Sequence, residues 1–600
     1  MRTMNRWMLG VVLCMSCMLA SAHVGNHPSV HDTLAGIVER FRTTLPADEL
    51  VSLQVPAVLE RITAEERDIL GTQYLTFRVN VPVILTVFKD TRFPTEPFWL
   101  VGRGFKQTSH VIQEGKRSFE GWELNFPAGE VGLGISSLSG GSDHYFVALA
   151  PQNAGDKVEI TQIYPGQHTL GVLEDSAAVH LDGDGIVSGV PEALKGQVLL
   201  RGAQDRRREA QLISLFQKTE HPSSATPDQV VLTWSDDPKT TQTIQWRTST
   251  AVKKSVVRYQ TKHSHDLFKR RGDRAKGETT VMDAPFVLND PRVHRHTVRL
   301  TGLEPDTTYV YAVGDGSRDG WSDMAEFSTA PARVKPFSFI YMGDAQNGLD
   351  RWGSVVHRAF RDEPQAAFYI MAGDLVNRGA ERNDWDSFFY NANGVFNNRQ
   401  LVPVLGNHEY QNGNPQMYHD LFTLMTNGPT TIGPEKAYSF TYSNALFVIL
   451  DSNQPMETQN AWLEEQLANS TSTWKIVTYH HPAYSSGPDR DNPDVRKQWG
   501  GIFDKYHVDL ALQGHDHAYL RTYPMKNEQR VETPADGTIY IVSNSGAKFY
   551  EQGDFPYKEV GYTNLSMYQV LDIQLSDDRL LYRAYDLDGI LRDTFEIVKQ

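Results

Sequence analysis

Cysteine is nearly absent. Two occur in 600 residues, Cys14 and Cys17, both inside an apolar stretch near the start. Without that stretch the chain has no disulfide, no thiolate nucleophile and no cysteine metal site. Any metal must then be held by His, Asp, Glu, Asn or Gln. Long apolar runs are also missing. None reaches the roughly 20 residues of a membrane-spanning helix. Positive charge is in deficit, with a formal net charge of −15. That argues against a basic surface for nucleic acid. Apolar residues make up 40% and charged residues 22%. Such a balance excludes a mainly disordered, collagen-like or multi-span membrane chain. Length alone suggests about three to five domains.

The apolar stretch reads as an export leader. Arg2 and Arg6 precede the apolar residues 7–19, and Ala20-Ser21-Ala22 has the form of a cleavage site. Residues 1–22 are therefore expected as a signal peptide, and the mature chain as periplasmic or secreted. A lipid anchor on Cys17 is disfavoured, because Cys14-Met15-Ser16 is a poor lipidation context.

Beyond the leader the patterning changes several times. Residues 23–45 are polar and expected to be loosely ordered, and 62–70 fit a short helix. In 74–81, Leu75, Phe77, Val79 and Val81 alternate with Tyr74, Thr76, Arg78 and Asn80, the pattern of a half-buried strand. Strand-like runs follow at 83–88, 98–101, 122–126 and 145–150. Residues 45–200 are read as a β-rich domain of unknown function, most simply a spacer or dimer contact. Asp182 and Asp184 hint at a calcium loop, but the remaining ligand spacing is missing and a plain turn is expected. Residues 201–227 are read as a helix over 203–218, with Arg206, Arg207 and Arg208 on a solvated face, and then a linker.

Short strands return over 228–332, at the number and spacing of a small β-sandwich. From 333 to 600 compact apolar runs appear at 338–342, 367–372, 401–405, 446–450, 475–479, 510–512 and 539–542. These suit strands buried on both faces. Helical stretches such as 461–468 lie between some of them, so this part is an α/β domain.

Polar sets follow these runs or lie close to them: Gly343-Asp344-Ala345-Gln346, Gly373-Asp374-Leu375-Val376-Asn377, Gly406-Asn407-His408-Glu409, Tyr479-His480-His481-Pro482 and Gly514-His515-Asp516-His517. Sites in α/β sheets form at strand ends, and glycine beside a ligand permits close approach. Two carboxylates, one amide and three imidazoles (Asp344, Asp374, Asn407, His480, His515 and His517) can bind a pair of divalent or trivalent ions. A single such element is usually a plain turn; five in order outweigh that reading.

The ordered set resembles the calcineurin-like metallophosphoesterases, especially the purple acid phosphatase branch. Gln459-Asn460-Ala461-Trp462-Leu463 and His515-Asp516-His517-Ala518-Tyr519-Leu520-Arg521 add to the resemblance, which spans about 228–600. Upstream, Leu300-Thr301-Gly302-Leu303-Glu304-Pro305 and the following Thr308-Tyr309-Val310-Tyr311 look like a fibronectin type III domain. Together with Trp246 they are similar to the purple acid phosphatase N-terminal domain. The resemblance implies a multi-domain chain. An α/β metallophosphoesterase domain, a sandwich of two β-sheets flanked by helices, would occupy 333–600. The fibronectin type III-like sandwich would occupy 228–332, after the N-terminal β-rich domain.

The resemblance also implies roles. Asp374 would bridge two ions, drawn from Fe, Mn or Zn. Asp344 and His517 would hold the first ion, and Asn407, His480 and His515 the second. His408 would bind phosphate or protonate the leaving alkoxide. His481 would stand behind the ligands or pack beside Pro482. Two positions depart from the pattern. Purple acid phosphatases carry a colour-giving tyrosine three residues after the bridging aspartate, where this chain has Asn377. Many other metallophosphoesterases carry a histidine two residues after the first aspartate, where this chain has Gln346. Both are further candidate ligands, and a colourless protein with a weaker first site is expected.

The implied activity is hydrolysis of phosphate monoesters by metal-activated water, without a covalent enzyme intermediate. A phosphodiesterase or nucleotidase on the same core is the alternative. From another class comes an envelope- or glycan-binding module with a decayed catalytic core, docking through its N-terminal β domain. Arg378, Arg382, Arg490, Arg521 and Lys548 lie near the motifs and are candidate phosphate contacts. The expected partner is a small phosphate ester.

Overall fold

The computed structural model describes residues 28–599, apart from 94, 140–144, 182–184, 203–209, 269–271, 412, 489 and 575–577. The leader, the aspartates of the calcium-loop reading and Arg206–Arg208 thus lie outside the described residues. The chain divides into two compact units, Met1–Lys218 and Thr219–Gln600. No helix among the described residues is long and apolar enough to cross a membrane.

The first unit opens with a helix, Val30–Thr44, where loose order was expected. Its polarity hides a stripe: Val30, Leu34, Ile37 and Phe41 are buried on one face. Ser29 and Asp32 close a capping box at its start, satisfying end N–H groups. Among the described residues a three-stranded sheet follows the order Gly129–Leu133, Leu75–Val79, Ile160–Tyr164. A seven-stranded sheet runs Leu170–Val172, Val198–Leu200, Phe146–Pro151, Val83–Asp90, Arg117–Phe126, Lys106–Glu114, Val187–Ser188.

Two further expectations fail in this unit. Residues 98–101 form part of a short helix, Phe98–Gly102, entered through Pro97. So short an apolar run carries no periodicity to separate helix from strand. The helix over 203–218 is absent from its described part, 210–218, which runs as turns and irregular chain. There Leu212 and Phe216 are buried, and the Leu212 and Ile213 N–H groups both donate to the Leu138 carbonyl. Burial of apolar anchors outweighs the helical bias of the polar residues before them.

The second unit begins with two four-stranded sheets. One orders Asp228–Thr233, Gln242–Ser249, Arg292–Leu300 and Glu278–Asp283. The other orders Asp273–Lys276, Val256–Thr261, Thr308–Gly314 and Ala325–Ser328. Leu232, Ile244, Trp246, Val257, Val298, Tyr311 and Phe327 fill the core they share.

Two larger sheets follow. The first orders Gln400–Pro403, Phe368–Met371, Phe337–Met342, Met567–Ile573, Arg579–Asp586 and Leu591–Val598. Its first three strands are parallel and the rest antiparallel. The second orders Tyr438–Tyr442, Ala445–Ile449, Trp474–Thr478, Leu510–Gln513, Ile539–Val542, Tyr519–Thr522 and Lys558–Tyr562. Its middle four are parallel. Ile340, Met342 and Ile370 of one sheet share a core with Phe447, Ile476, Leu512 and Ile541 of the other. Trp352 of Leu349–Asp362 and Phe388 of Arg382–Asn391 stack 4.6 Å apart within the same core. Leu463 and Leu467 of Asn460–Asn469 pack with Val448 and Val477 of the second sheet. Parallel strands of both sheets end at one edge, and each delivers a loop there.

Candidate metal centre

The loops after Phe337–Met342, Phe368–Met371, Gln400–Pro403, Trp474–Thr478 and Leu510–Gln513 bring Asp344, Asp374, Asn407, His480 and His515 together, with His517 beside them. Glycines allow the approach. A Cβ on Gly406 would collide with the Asp374 carboxylate, and one on Gly373 with the His480 ring. Asp374 and His515 hold left-handed backbone, φ 52° and 71°. Such strain costs of order 1–3 kcal/mol at a non-glycine residue and persists where the surroundings fix it.

The donor atoms fall into two groups that meet at Asp374 Oδ2. In one group His480 Nε2 lies 3.2 Å from Asp374 Oδ2, 3.1 Å from Asn407 Oδ1 and 3.2 Å from His515 Nδ1. His515 Nδ1 lies 2.9 Å from Asn407 Oδ1. In the other, the Gln346 amide nitrogen lies 2.7 Å from Asp374 Oδ2 and 3.4 Å from His517 Nε2. His517 Nε2 lies 3.3 Å from Asp344 Oδ2. Among the described residues, Asp344 Oδ2 and Gln346 Oε1 are buried with no hydrogen-bond partner. Asp344, Asp374 and His480 offer donors within 4.8 Å of one another, as do His480, His481 and His515.

Hydrogen bonds orient the imidazoles. His480 Nδ1 donates to the Ala372 carbonyl at 2.9 Å, and His517 Nδ1 to the Lys548 carbonyl at 3.2 Å. A carbonyl only accepts, so each Nδ1 carries the proton and each Nε2 keeps its lone pair for the cluster. Electrostatics agree for His517 and run the other way for His480, whose carboxylate neighbours favour a second proton. Burial, with Lys548 nearby, lowers His517 to about 4. Burial and the neighbouring His480 hold His515 well below the usual range. Burial opposes a charge on His480, but the Asp374 and Asp344 carboxylates push it up to about 10. Burial and the Asp374 charge raise Asp344 to about 7. Two carboxylates this close call for positive charge between them.

His408 stands at the edge of the cluster. Its Nδ1 donates to the Asn377 carbonyl at 2.5 Å, and its Nε2 lies 3.9 Å from Asp374 Oδ2. Asn377 therefore turns its backbone toward His408, and among the described residues its side chain makes no hydrogen bond to the donor atoms. His481 packs its ring 4.5 Å from that of His515 and bonds Ser452 Oγ through Nδ1 at 2.8 Å. Burial and His480 push His481 down to about 3.

Of the five basic candidates, four are held in ion pairs: Arg378 on Asp384, Arg382 on Asp290 and Asp386, Arg490 on Asp516, and Arg521 on Asp593. Arg490 and Lys548 adjoin the cluster. Arg490 bonds Asp516 at 2.6 Å and the His515 carbonyl at 3.3 Å. Both lie over Tyr550, at 4.9 and 5.0 Å from its ring, and that ring is 4.6 Å from His517.

Glu409 was given no role by sequence reasoning. Buried, it accepts the N–H groups of Asp374 and Leu375 at 2.9 Å and of Gly406 at 2.8 Å. One carboxylate thus stitches together the loops bearing Asp374 and Asn407. The available signal was a glutamate next to a tight turn whose N–H groups need an acceptor.

Two parts of the chain match known families. Residues 227–329 match the purple acid phosphatase N-terminal domain, and 337–519 match the calcineurin-like phosphoesterase family. An uncharacterized protein of Mycobacterium tuberculosis is 28% identical over 311 residues, covering 42% of this chain; the chain spans 57% of that relative's length. Acid phosphatase type 7 of mouse is 27% identical over 410 residues, 60% of this chain and 90% of the mouse protein. A purple acid phosphatase from yellow lupin seeds superposes with a TM-score of 0.55 at 17% identity, over 80% of this chain and 82% of the lupin chain. By family relationship and fold the chain is metallophosphoesterase-like. More narrowly, the two matched domains together are similar to those of the purple acid phosphatases.

Proposed function

We propose that the chain is an exported, two-ion phosphoesterase that hydrolyses phosphate monoesters. The observation that carries this reading is the pair of donor groups meeting at Asp374 Oδ2. Ligands at right angles on an ion with bonds of about 2.1 Å lie about 3 Å apart. The spacings of 2.9–3.3 Å between the ligand atoms fit that distance. Asp344, His517 and Asp374 would hold one ion, and Asn407, His480, His515 and Asp374 the other. Bound there, such ions would supply positive charge for the phosphoryl oxygens and for activating a water near neutral pH.

The remaining steps fall to side chains. His408, fixed through Nδ1, presents Nε2 to hold a proton for the leaving oxygen. Its Nε2 is the nitrogen on the carboxylate side, where a bound ester would lie. Arg490 and Lys548 add positive charge at the rim. The preference for monoesters is supported by the acid phosphatase names of the mouse and lupin proteins. Export rests on the leader at 1–22.

The test is hydrolysis of an aryl phosphate monoester beside the matching diester. Metal-stripped protein is supplied in turn with Mn, Zn, Fe and Mg, with Asp374→Asn as control. The expected result is metal-restored turnover, faster on the monoester and lost in the control. Turnover indifferent to metal and to Asp374→Asn would overturn the two-ion reading. Faster diester cleavage would overturn the monoester assignment.

A further inference from the structure

We propose that Gln346 is a direct ligand, through its amide oxygen, of the ion held by Asp344, Asp374 and His517. This rests on the two-ion reading and deepens it. The tyrosine position of the related phosphatases leaves the first ion short of a donor, and two residues of this chain could fill the gap. The structure separates them. Asn377 spends its carbonyl on His408 and Gln411, and its side chain makes no hydrogen bond to the donor cluster among the described residues.

Gln346 lies in the midst of that cluster. Its backbone is fixed, since the N–H groups of Ala345 and Gln346 both donate to the Asp374 carbonyl, at 3.1 and 3.2 Å. A Cβ on Gly546 would strike the Gln346 carbonyl, so the facing loop is packed flush against it. The side chain is 1% exposed. Its amide nitrogen touches donors of both carboxylate and imidazole type, while its oxygen is buried with no hydrogen-bond donor among the described residues.

The two amide atoms have nearly the same shape and exchange by a half-turn of the last bond. That turn puts Oε1 where the nitrogen stands, 2.7 Å from Asp374 Oδ2 and 3.4 Å from His517 Nε2. Two oxygens so close repel in isolation. Around a cation they occupy neighbouring ligand positions. The first ion would then receive one whole carboxylate charge, a shared one and two neutral donors. So little negative charge favours a divalent over a trivalent ion.

The experiment counts ions per chain by elemental analysis and measures affinity by competition titration with Zn and Mn, without reference to turnover. Gln346→Ala should lose one of two ions at limiting metal, or bind the weaker one at least about tenfold less tightly. Should that variant fail to fold, Gln346→Leu, of similar volume and without a donor, must show the same loss. Asn377→Ala should stay within threefold of the parent. Gln346→Glu, adding a charge, should shift preference toward Fe(III). Parent affinity for both ions in the folded Gln346→Ala or Gln346→Leu variant would overturn the assignment. Asp374→Asn separates the two claims. If it loses ions while Gln346→Ala does not, the Gln346 assignment fails alone. If Asp374→Asn keeps both ions at parent affinity, the two-ion reading fails with it.

Discussion

Glu409→Gln removes one charge and almost no volume, and the structure makes its cost calculable. The carboxylate accepts good hydrogen bonds from the N–H groups of Asp374, Leu375 and Gly406. Those of Asp374 and Gly406 converge on Oε2, and that of Leu375 on Oε1. A glutamine offers one oxygen. Whichever way its amide turns, its NH₂ group faces at least one buried N–H, donor against donor. A buried donor without a partner costs about 1–3 kcal/mol, and the bonds that survive lose their charge assistance. Together these give about 3 kcal/mol of local destabilisation. Native-state hydrogen exchange reads this at the affected amides. About 3 kcal/mol corresponds to exchange roughly 100-fold faster for Asp374, Leu375 and Gly406. Amides in the small sandwich, such as Trp246, should be unmoved. Exchange within threefold of the parent at all three positions would refute the claim that Glu409 ties the two loops together.

Other substitutions probe the site and the sandwich beside it. His408→Ala should keep its metal content but lower kcat by about 10²–10⁴-fold with aryl phosphate; loss of bound metal instead would make His408 a ligand. Arg490→Ala and Lys548→Ala should raise KM more than they lower kcat, and unchanged kinetics would remove both from the substrate rim. His296 is buried between Thr248, Ser255 and Thr279, and burial beside Arg295 depresses it to about 4. The unfolded chain takes up this proton near pH 6.5 and the folded chain only near 4. The unfolded state therefore binds more protons in that window, and stability should fall as pH drops through it, by about 3 kcal/mol at most. His296→Gln should flatten this part of the urea midpoint profile; an unchanged profile would assign the acid sensitivity elsewhere.

Legibility followed the range of the interactions. Four parallel strands of the last two sheets, Phe337–Met342, Phe368–Met371, Gln400–Pro403 and Leu510–Gln513, are short, apolar and followed within three residues by glycine and then a polar candidate ligand, so strand and loop could both be read locally. The antiparallel half was harder. Phe337–Met342 pairs on one side with Met567–Ile573, far along the chain, and only the folded sheet reveals that register. Phe98–Gly102 is too short to carry a period. Val30–Thr44 hides a narrow apolar stripe among charges. At the site, residue types and order announced metal chemistry. The stitching by Glu409 was not legible, because it depends on N–H groups from loops separated in sequence. Nor could the motifs choose between Gln346 and Asn377; the proposed choice of Gln346 rests on its burial and on the contacts of its amide. Arg382 and Arg521, candidate phosphate contacts by proximity to motifs, prove to be buried in ion pairs.

The central claim is that two ions sit in the two donor groups with Asp374 between them. Anomalous diffraction from crystals of the protein loaded with Mn or Zn tests it most directly. The account predicts two peaks about 3.5–4 Å apart. One should lie among Asp344, Gln346 and His517, the other among Asn407, His480 and His515, with Asp374 Oδ2 touching both. A single peak away from Asp374, or none at saturating metal, would contradict it.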